Sequence, residues 1–197
     1  MPSSPRIPKE TILKHALEML IRDGYSALNI KAVAKEIGCS TQPISWHFGN
    51  MEGFRRALTE YALNYANQKM LSSAEGMSAF SNVGLGYVNL AFDEPNLFRY
   101  LYMSGDSGYH AGGFDMFTSV GENAVMVEQI AEQLGIPVES AAAFFRNTMI
   151  YTHGLACFIV SGLVKATKDE INEMVNSAAN GFLLQAGADF SKMENIK

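Results

Sequence analysis

Apolar residues recur at intervals of three and four along almost the whole chain, and no stretch alternates Val, Ile or Thr with polar residues between Gly-Asn turns. That period belongs to helices with one buried face and predicts an all-α protein of about nine helices. The first is expected over residues 8–23, where Ile12, Ala16, Met19 and Leu20 share a face, Leu13 and Leu17 widen it, and Gly24 stops it. A short second helix follows Asn29, a good N-cap, and carries Ile30, Val33, Ala34 and Ile37 at i, i+3, i+4 and i+7 before Gly38. Ser40 is placed to cap a third helix through Phe48, with Pro43 tolerated in its first turn, and Gly49-Asn50 breaks it. A long helix then runs from Met51 to about Ser72, its apolar face marked by Phe54, Leu58, Tyr61 and Tyr65. Five further helices are predicted over 78–92, 95–103, 114–134, 138–163 and 169–186, punctuated by Pro95, Pro137 and glycines. Residues 104–113 hold four glycines among polar neighbours, the composition of a mobile loop.

At 197 residues and 48% hydrophobic, the chain has the material for one core or two fused ones without covalent staples. Cys39 and Cys157 lie far apart and no charged-then-apolar leader opens the chain, so the expected compartment is the cytoplasm. The most apolar stretch, 154–164, is eleven residues long, where a bilayer needs about 20, so no membrane span is expected. The net charge of −5 argues against a nucleic-acid binder only until its distribution is read. Residues 1–60 carry eight Lys and Arg against six acids, or +2, and the remainder seven against fourteen, or −7. A basic head on an acidic body suits a protein that meets phosphate only with its head.

Two short helices joined by Gly38-Cys39-Ser40, the first patterned inward and the second showing Thr41, Gln42, Ser45, Trp46 and His47 outward, have helix-turn-helix proportions. In that reading Gln42 faces a base edge and Thr41 a base or a thymine methyl. Ser45, Trp46 and His47 donate to phosphate, and Ile44 and Phe48 point into the core. Lys31 and Ser40 complete the expected DNA-contacting set, and Arg6 and Lys9 are candidates for an arm along the backbone or minor groove.

The string from Asn29 to Asn50, with Gly24-Tyr25 before it, resembles the DNA-binding domain of TetR-type repressors over residues 8–58. The shared features are an Ile-Ala…Ala-Gly-Val-Ser type of turn, an aromatic-His-Phe close to the recognition helix, and the start of a connecting helix. Two positions depart from the family pattern: Ser45 stands where Tyr is usual, and Met51 where a phosphate-touching Lys is usual. The resemblance implies a DNA-binding domain over 1–50 and a ligand-binding and dimerisation domain over 51–197.

Paired recognition helices need a dimer, because half-sites lie about 34 Å apart or a multiple of that. The seam is expected on the last two helices. Phe144, Phe145, Ile150, Leu155, Phe158 and Ile159 make the first apolar nearly all round, and Ile171, Met174, Val175, Ala178, Phe182 and Leu183 stripe the second. The interface assigned from this pattern is Phe158, Ile171, Val175, Ala178 and Phe182; TetR-like proteins pair the same helices as a four-helix bundle. The segment 86–103 together with His153-Gly154-Leu155-Ala156 resembles a TetR carboxy-terminal subgroup marked by Trp-x-x-x-His-Gly strings. That resemblance implies a buried pocket, with Tyr61, Tyr65, Phe80, Tyr87, Tyr102, Met103, Phe117, Met149 and His153 as its expected lining; 104–113, between two helices expected to wall it, is read as its flexible edge or as a mere connector. Such a wall suits an apolar or aromatic effector.

His153 and Cys157 share one helix face, but no third or fourth ligand lies nearby, so no metal is expected. A nucleophile-base reading of the same pair lacks an orienting acid and oxyanion donors. No cofactor and no enzymatic activity are expected. The function these readings predict is a repressor that binds a palindromic operator as a homodimer and is released by a small molecule. The alternative is a helical ligand-binding or scaffold protein whose DNA binding is weakened or lost, motivated by Ser45 and Met51.

Overall fold

The computed structural model describes residues 7–72, 79–108, 112–119 and 121–188, with backbone alone at 79–82 and 116–117. Among these residues all regular structure is helical, as the hydrophobic period requires. α1 (Lys9–Asp23) begins on Pro8 and ends at Gly24, and α2 (Ile30–Ile37) starts on Asn29, whose side chain accepts from Ala32 N–H at 2.9 Å. Gly38 stops α2 in the left-handed region, φ 76°, and the amides of Gly38 and Cys39 return to the carbonyls of Lys35 and Ala34. α3 (Gln42–Phe48) follows with Pro43 in its first turn. Its N-cap is Thr41 without a side-chain bond, so Ser40 does not cap it.

α4 (Met51–Leu71) is launched by Asn50, which accepts from Gly53 N–H at 2.9 Å through its side chain and from Phe54 N–H at 3.0 Å through its carbonyl. α5 (Ala79–Asp93) precedes α6 (Pro95–Phe98), which runs on as a π-helical turn over Arg99–Met103 and closes with Ser104 N–H on the Arg99 carbonyl. The helix expected over 114–134 is broken: α7 (Met116–Ser119) and α8 (Gly121–Leu134) are separated because Gly121 takes φ 63°, which no continuous helix permits. α9 (Val138–Ser161) ends at Gly162, and α10 (Lys168–Gln185) opens with a capping box in which Thr167 and Glu170 bond each other's backbone amides.

Two compact units result: Met1–Lys69 with Asp93–Tyr109, and Met70–Phe92 with His110–Lys197. In this grouping by compactness α4 as far as Lys69 and the segment from Asp93 fall with the first three helices, and α6 packs on α1. In the first unit Ile12, Leu20, Val33, Ile44, Phe54, Leu58, Leu97, Phe98 and Tyr100 are fully buried. In the second, α9 lies against α8 and α10 over a core of Val127, Ile130, Ala141, Phe144, Phe145 and Leu183.

Three contacts tie 93–109 to the first helices. The Asn96 amide donates to the Ile21 carbonyl at 3.1 Å, and the rings of Tyr25 and Tyr100 stack with centroids 4.8 Å apart. Thr59 Oγ1 lies 3.0 Å from the Arg55 carbonyl, 2.9 Å from the Ser107 carbonyl and 2.7 Å from Tyr100 Oη. A hydroxyl has one proton and both carbonyls only accept, so Tyr100 O–H must donate to Thr59. Ser107 is buried, and Ser104 caps the 3₁₀ turn Gly105–Ser107. The first half of the glycine-rich stretch is therefore packed rather than a loose edge, while Tyr109 and His110 lie outside the described residues.

Two outcomes follow from this packing. A Cβ on Gly53 would stand 2.2 Å from the Phe48 carbonyl oxygen, a backbone atom that cannot step aside. Gly53→Ala gains about 1 kcal/mol of helix propensity but meets an overpacking cost of about 1–3 kcal/mol; thermal or urea unfolding should show net loss as α3 and α4 part. Burial pushes the Tyr100 hydroxyl up to about 12 from an ordinary 10.0. Its contribution is thus complete below pH 10 and is lost as pH rises through 12. Tyr100→Phe should flatten that alkaline decline in a stability-against-pH series and cost about 1 kcal/mol at neutral pH through the missing hydrogen bond.

Candidate nucleic-acid interface

The face that α2 and α3 present follows from which side chains the first unit buries. Ile44 is fully buried and Phe48 half-buried, its ring edge-on to Phe54 at 5.3 Å, so this side of α3 is committed to the core. A seven-residue helix then shows its other side to solvent, and Thr41, Gln42, Ser45 and Trp46 are exposed there, Trp46 by 63%. Ser40 precedes them on the exposed turn, and Lys31 is exposed in the first turn of α2. Arg22 bonds Asp23 and reaches Glu36 at 3.0 Å, so the ion pair between α1 and α2 rests on that arginine and leaves Lys31 and Lys35 outward.

His47 is placed differently from its neighbours. Its ring is partly buried, 4.8 Å from the Trp46 ring, and its Nε2 lies 2.8 Å from the Ile7 carbonyl. Met51, at the start of α4, is half-buried.

Of the expected effector-lining residues, Tyr61, Tyr65, Tyr102 and Met103 belong to the first unit, and Tyr87, Met149 and His153 to the second. Tyr61 is half-buried on α4, and Tyr102 is half-buried with its ring 5.2 Å from Phe98. Met103 is 38% exposed. Tyr65 donates to Glu94 Oε1 at 2.8 Å, where Lys69 also bonds. Glu94 is buried, and its other oxygen has no partner among the described residues. Burial opposes the Lys69 charge, but the Glu94 carboxylate outweighs it and holds the ammonium above its usual pKa. No sequence signal marked this pair, whose members are 25 residues apart.

In the second unit Met149 packs half-buried against the core, and Tyr87 Oη lies 2.8 Å from His153 Nδ1. His153 Nε2 in turn lies 3.4 Å from Cys157 Sγ. Tyr87 is the orienting group that sequence reading missed. Burial, however, pushes His153 down and the Cys157 thiol up, which favours the protonated thiol over the thiolate a nucleophile needs. The side chains of Phe80 and Phe117 lie outside the described residues. Two surface grooves, of about 670 and 590 Å³, are lined by other residues: the first by Arg55, Arg56, Thr59 and Gly108 among others, the second by Tyr151, Glu170, Met174 and Ala178 among others. Among the described residues no group of three or more His, Cys, Asp or Glu is placed to hold a metal.

Of the expected seam residues, Phe158 is 49% exposed, and Val175, Ala178 and Phe182 are half-buried. Phe182 meets Tyr151 edge-on at 6.4 Å. Ile171 is only 2% exposed within the single chain, so its side chain serves the core of its own unit. Met174, at 45% exposure, has the area that Ile171 lacks.

With this geometry in view, residues 12–58 match the family model described as bacterial regulatory proteins, tetR family. The head is thus similar to the amino-terminal domain of that family. Over its whole length the chain is similar in structure to a TetR variant from Acinetobacter baumannii AYE solved in complex with minocycline. The TM-score is 0.58 at 17% identity, over 91% of this chain and 96% of the other. At that identity the likeness is one of fold. A search of curated proteins returns no match. No helix among the described residues is long and apolar enough to cross a membrane.

The outward set of the TetR-type head generates a prediction about readout. Gln42→Ala should lower discrimination at one or two operator positions by about 1–3 kcal/mol, whereas Trp46→Ala should weaken all duplexes alike. Binding isotherms over a base-substituted operator series separate the two, and Trp46, the single tryptophan, gives the Gln42→Ala series a fluorescence signal at the interface itself. Uniform loss for Gln42→Ala would contradict the assignment.

Proposed function

We propose that the protein is a ligand-responsive transcriptional regulator: a repressor that binds a palindromic operator as a homodimer and is released by a small apolar or aromatic effector. The observation that carries this reading is the outward face of α3 on a head similar to the TetR-family domain, with Ile44 held inside and Gln42, Ser45 and Trp46 exposed. Residues 1–50 supply the DNA contacts, Lys31, Ser40, Thr41, Gln42, Ser45 and Trp46 among them, and residues 51–197 supply effector binding and pairing.

In this reading the effector binds the conformation that does not fit the operator and shifts α4, changing the separation of two heads. The length of α4 supports it: Met51–Leu71 is one unbroken helix. The effector set read from sequence, Tyr61, Tyr65, Phe80, Tyr87, Tyr102, Met103, Phe117, Met149 and His153, remains the proposal for its lining. The TetR relative's complex with minocycline supports a small-molecule role for a chain of this fold. Pairing through α9 and α10 uses Phe158, Val175, Ala178 and Phe182, with Met174 taking the place assigned to Ile171.

The experiment is a gel shift on the DNA upstream of the protein's own coding sequence, across a salt series. A sequence-selective complex that weakens steeply with salt is expected; its absence would favour the ligand-binding or scaffold reading. For the seam, Phe158→Glu places a charge on an exposed apolar side chain that its own unit does not need. It should leave the helical fold intact and raise the dimer dissociation constant by about 100-fold or more, as burying an unpaired charge costs about 3 kcal/mol. Sedimentation showing an unchanged dimer would contradict the seam.

A further inference from the structure

Glu94 is a carboxylate buried in the first unit with one of its two oxygens bare. It is 7% exposed, and both of its donors, the Tyr65 hydroxyl at 2.8 Å and the Lys69 ammonium, bond the same oxygen, Oε1. Oε2 is buried and has no partner among the described residues. An ionised carboxylate only accepts, through both oxygens. Leaving one of them dry and unbonded costs more than a typical intramolecular hydrogen bond returns, so the oxygen marks a place where a donor is missing.

The surroundings of that oxygen say what kind of donor. Glu94 is the N-cap residue of α6, yet its side chain makes no bond to the amides of that helix. It reaches α4 instead, where Tyr65 and Lys69 stand one turn apart and the ammonium lies 5.8 Å from the centroid of the Tyr65 ring. Burial opposes the Lys69 charge, but the bond to Glu94 and the charge of Glu94, with that of Asp93 added, hold the ammonium above its usual pKa. Two carboxylates thus face one ammonium, and the four residues all belong to the first unit. The Lys69 side chain is still 36% exposed, so the buried carboxylate lies one side chain in from water.

A metal ion takes six or more oxygen ligands when it is calcium or magnesium, and among the described residues no group of three or more His, Cys, Asp or Glu is placed to hold one. A protonated nitrogen asks for less: one acceptor in line with an N–H, and an aromatic face beside the charge. Glu94 Oε2 is such an acceptor, and the half-buried Tyr65 supplies the ring.

We propose that this cluster is a binding site for an organic cation, in which Glu94 Oε2 accepts a hydrogen bond from a protonated amine, Tyr65 flanks the charge and Lys69 holds the opposite oxygen in place. The inference rests on the ligand-responsive reading above and deepens it, because the apolar or aromatic body of the effector then carries an ammonium group. An aromatic wall alone would not separate an amine from the alcohol of the same shape. This site does.

The probes are naphthylmethylamine, protonated near neutral pH, and naphthylmethanol, its neutral counterpart, titrated calorimetrically into the full chain. The amine should bind about tenfold more tightly than the alcohol. Glu94→Gln keeps an acceptor for Tyr65 and Lys69 but puts an N–H₂ donor where Oε2 stands. It should bring the amine down to the affinity of the alcohol and leave the alcohol within about twofold of its wild-type value. Lys69→Met should move the other way and tighten the amine about tenfold, since the ligand then supplies the cation that a buried carboxylate has lost. That variant decides the matter if Glu94→Gln does not fold. Equal affinity for the two probes, as a resident water on Oε2 would give, would overturn the proposal, and so would an amine affinity unmoved by both substitutions. Operator release is read separately by gel shift. Release by the amine in the wild type but not in Glu94→Gln supports the site and the regulatory reading together. Glu94-dependent binding that leaves operator affinity unchanged would keep the site and contradict the ligand-responsive reading.

Discussion

Seven residues are too few to hold a helix together in water, let alone to aim it. Isolated helices of that length do not persist, because nucleation costs more than one or two turns of hydrogen bonds return. α3 exists in its place because Ile44 is removed from solvent completely and Phe48 leans on Phe54. Burying a side chain of that size is worth about 1.5–3 kcal/mol, and it fixes the rotation of the helix about its own axis. Once Ile44 points in, Gln42, Ser45 and Trp46 have no choice but to point out. The close passage of α4 past the end of α3, which admits only a glycine at position 53, makes that orientation stiff.

The same logic extends to the segment 93–109, which belongs with the first helices in compactness though not in sequence. Tyr100 is buried against Tyr25 and donates to Thr59, and Thr59 reaches the Ser107 carbonyl. Asn96 holds the end of α1 by its Ile21 carbonyl. Buried polar contacts of this kind are costly to leave half made, so they form and break as a set. Glu94, buried at the opening of α6 with Tyr65 and Lys69 on one of its oxygens, fastens the last turns of α4 to the same segment. A displacement of α4 must therefore carry 93–109 or break this set.

Local pattern carried much of this. The i, i+3, i+4 spacing of α1 and α2, Asn29 as a cap and Gly24 and Gly38 as stops are short-range chemistry, and each appears where the chain led one to look. Features that depend on partners far along the chain were not legible. Thr59 and Tyr100 are 41 residues apart and Thr59 and Ser107 are 48, so a glycine-rich stretch that reads as a loose loop begins instead as a packed turn. His47 looks like its exposed neighbours until Ile7 is placed beside it. Ile171 shares a helical stripe with Val175 and Ala178, and only its burial shows that it faces its own core rather than a partner. Periodicity locates an apolar face but does not say what covers it.

The central claim, that this head reads DNA sequence through the outward face of α3, is tested most directly by selection from a random duplex library. The account predicts enrichment of an inverted repeat whose half-sites lie one helical turn or a multiple apart, about 34 Å per turn, with the enriched bases lost when the exposed face of α3 is exchanged for that of another TetR-type head. Recovery of no preferred sequence, or of a sequence unchanged by that exchange, would contradict it.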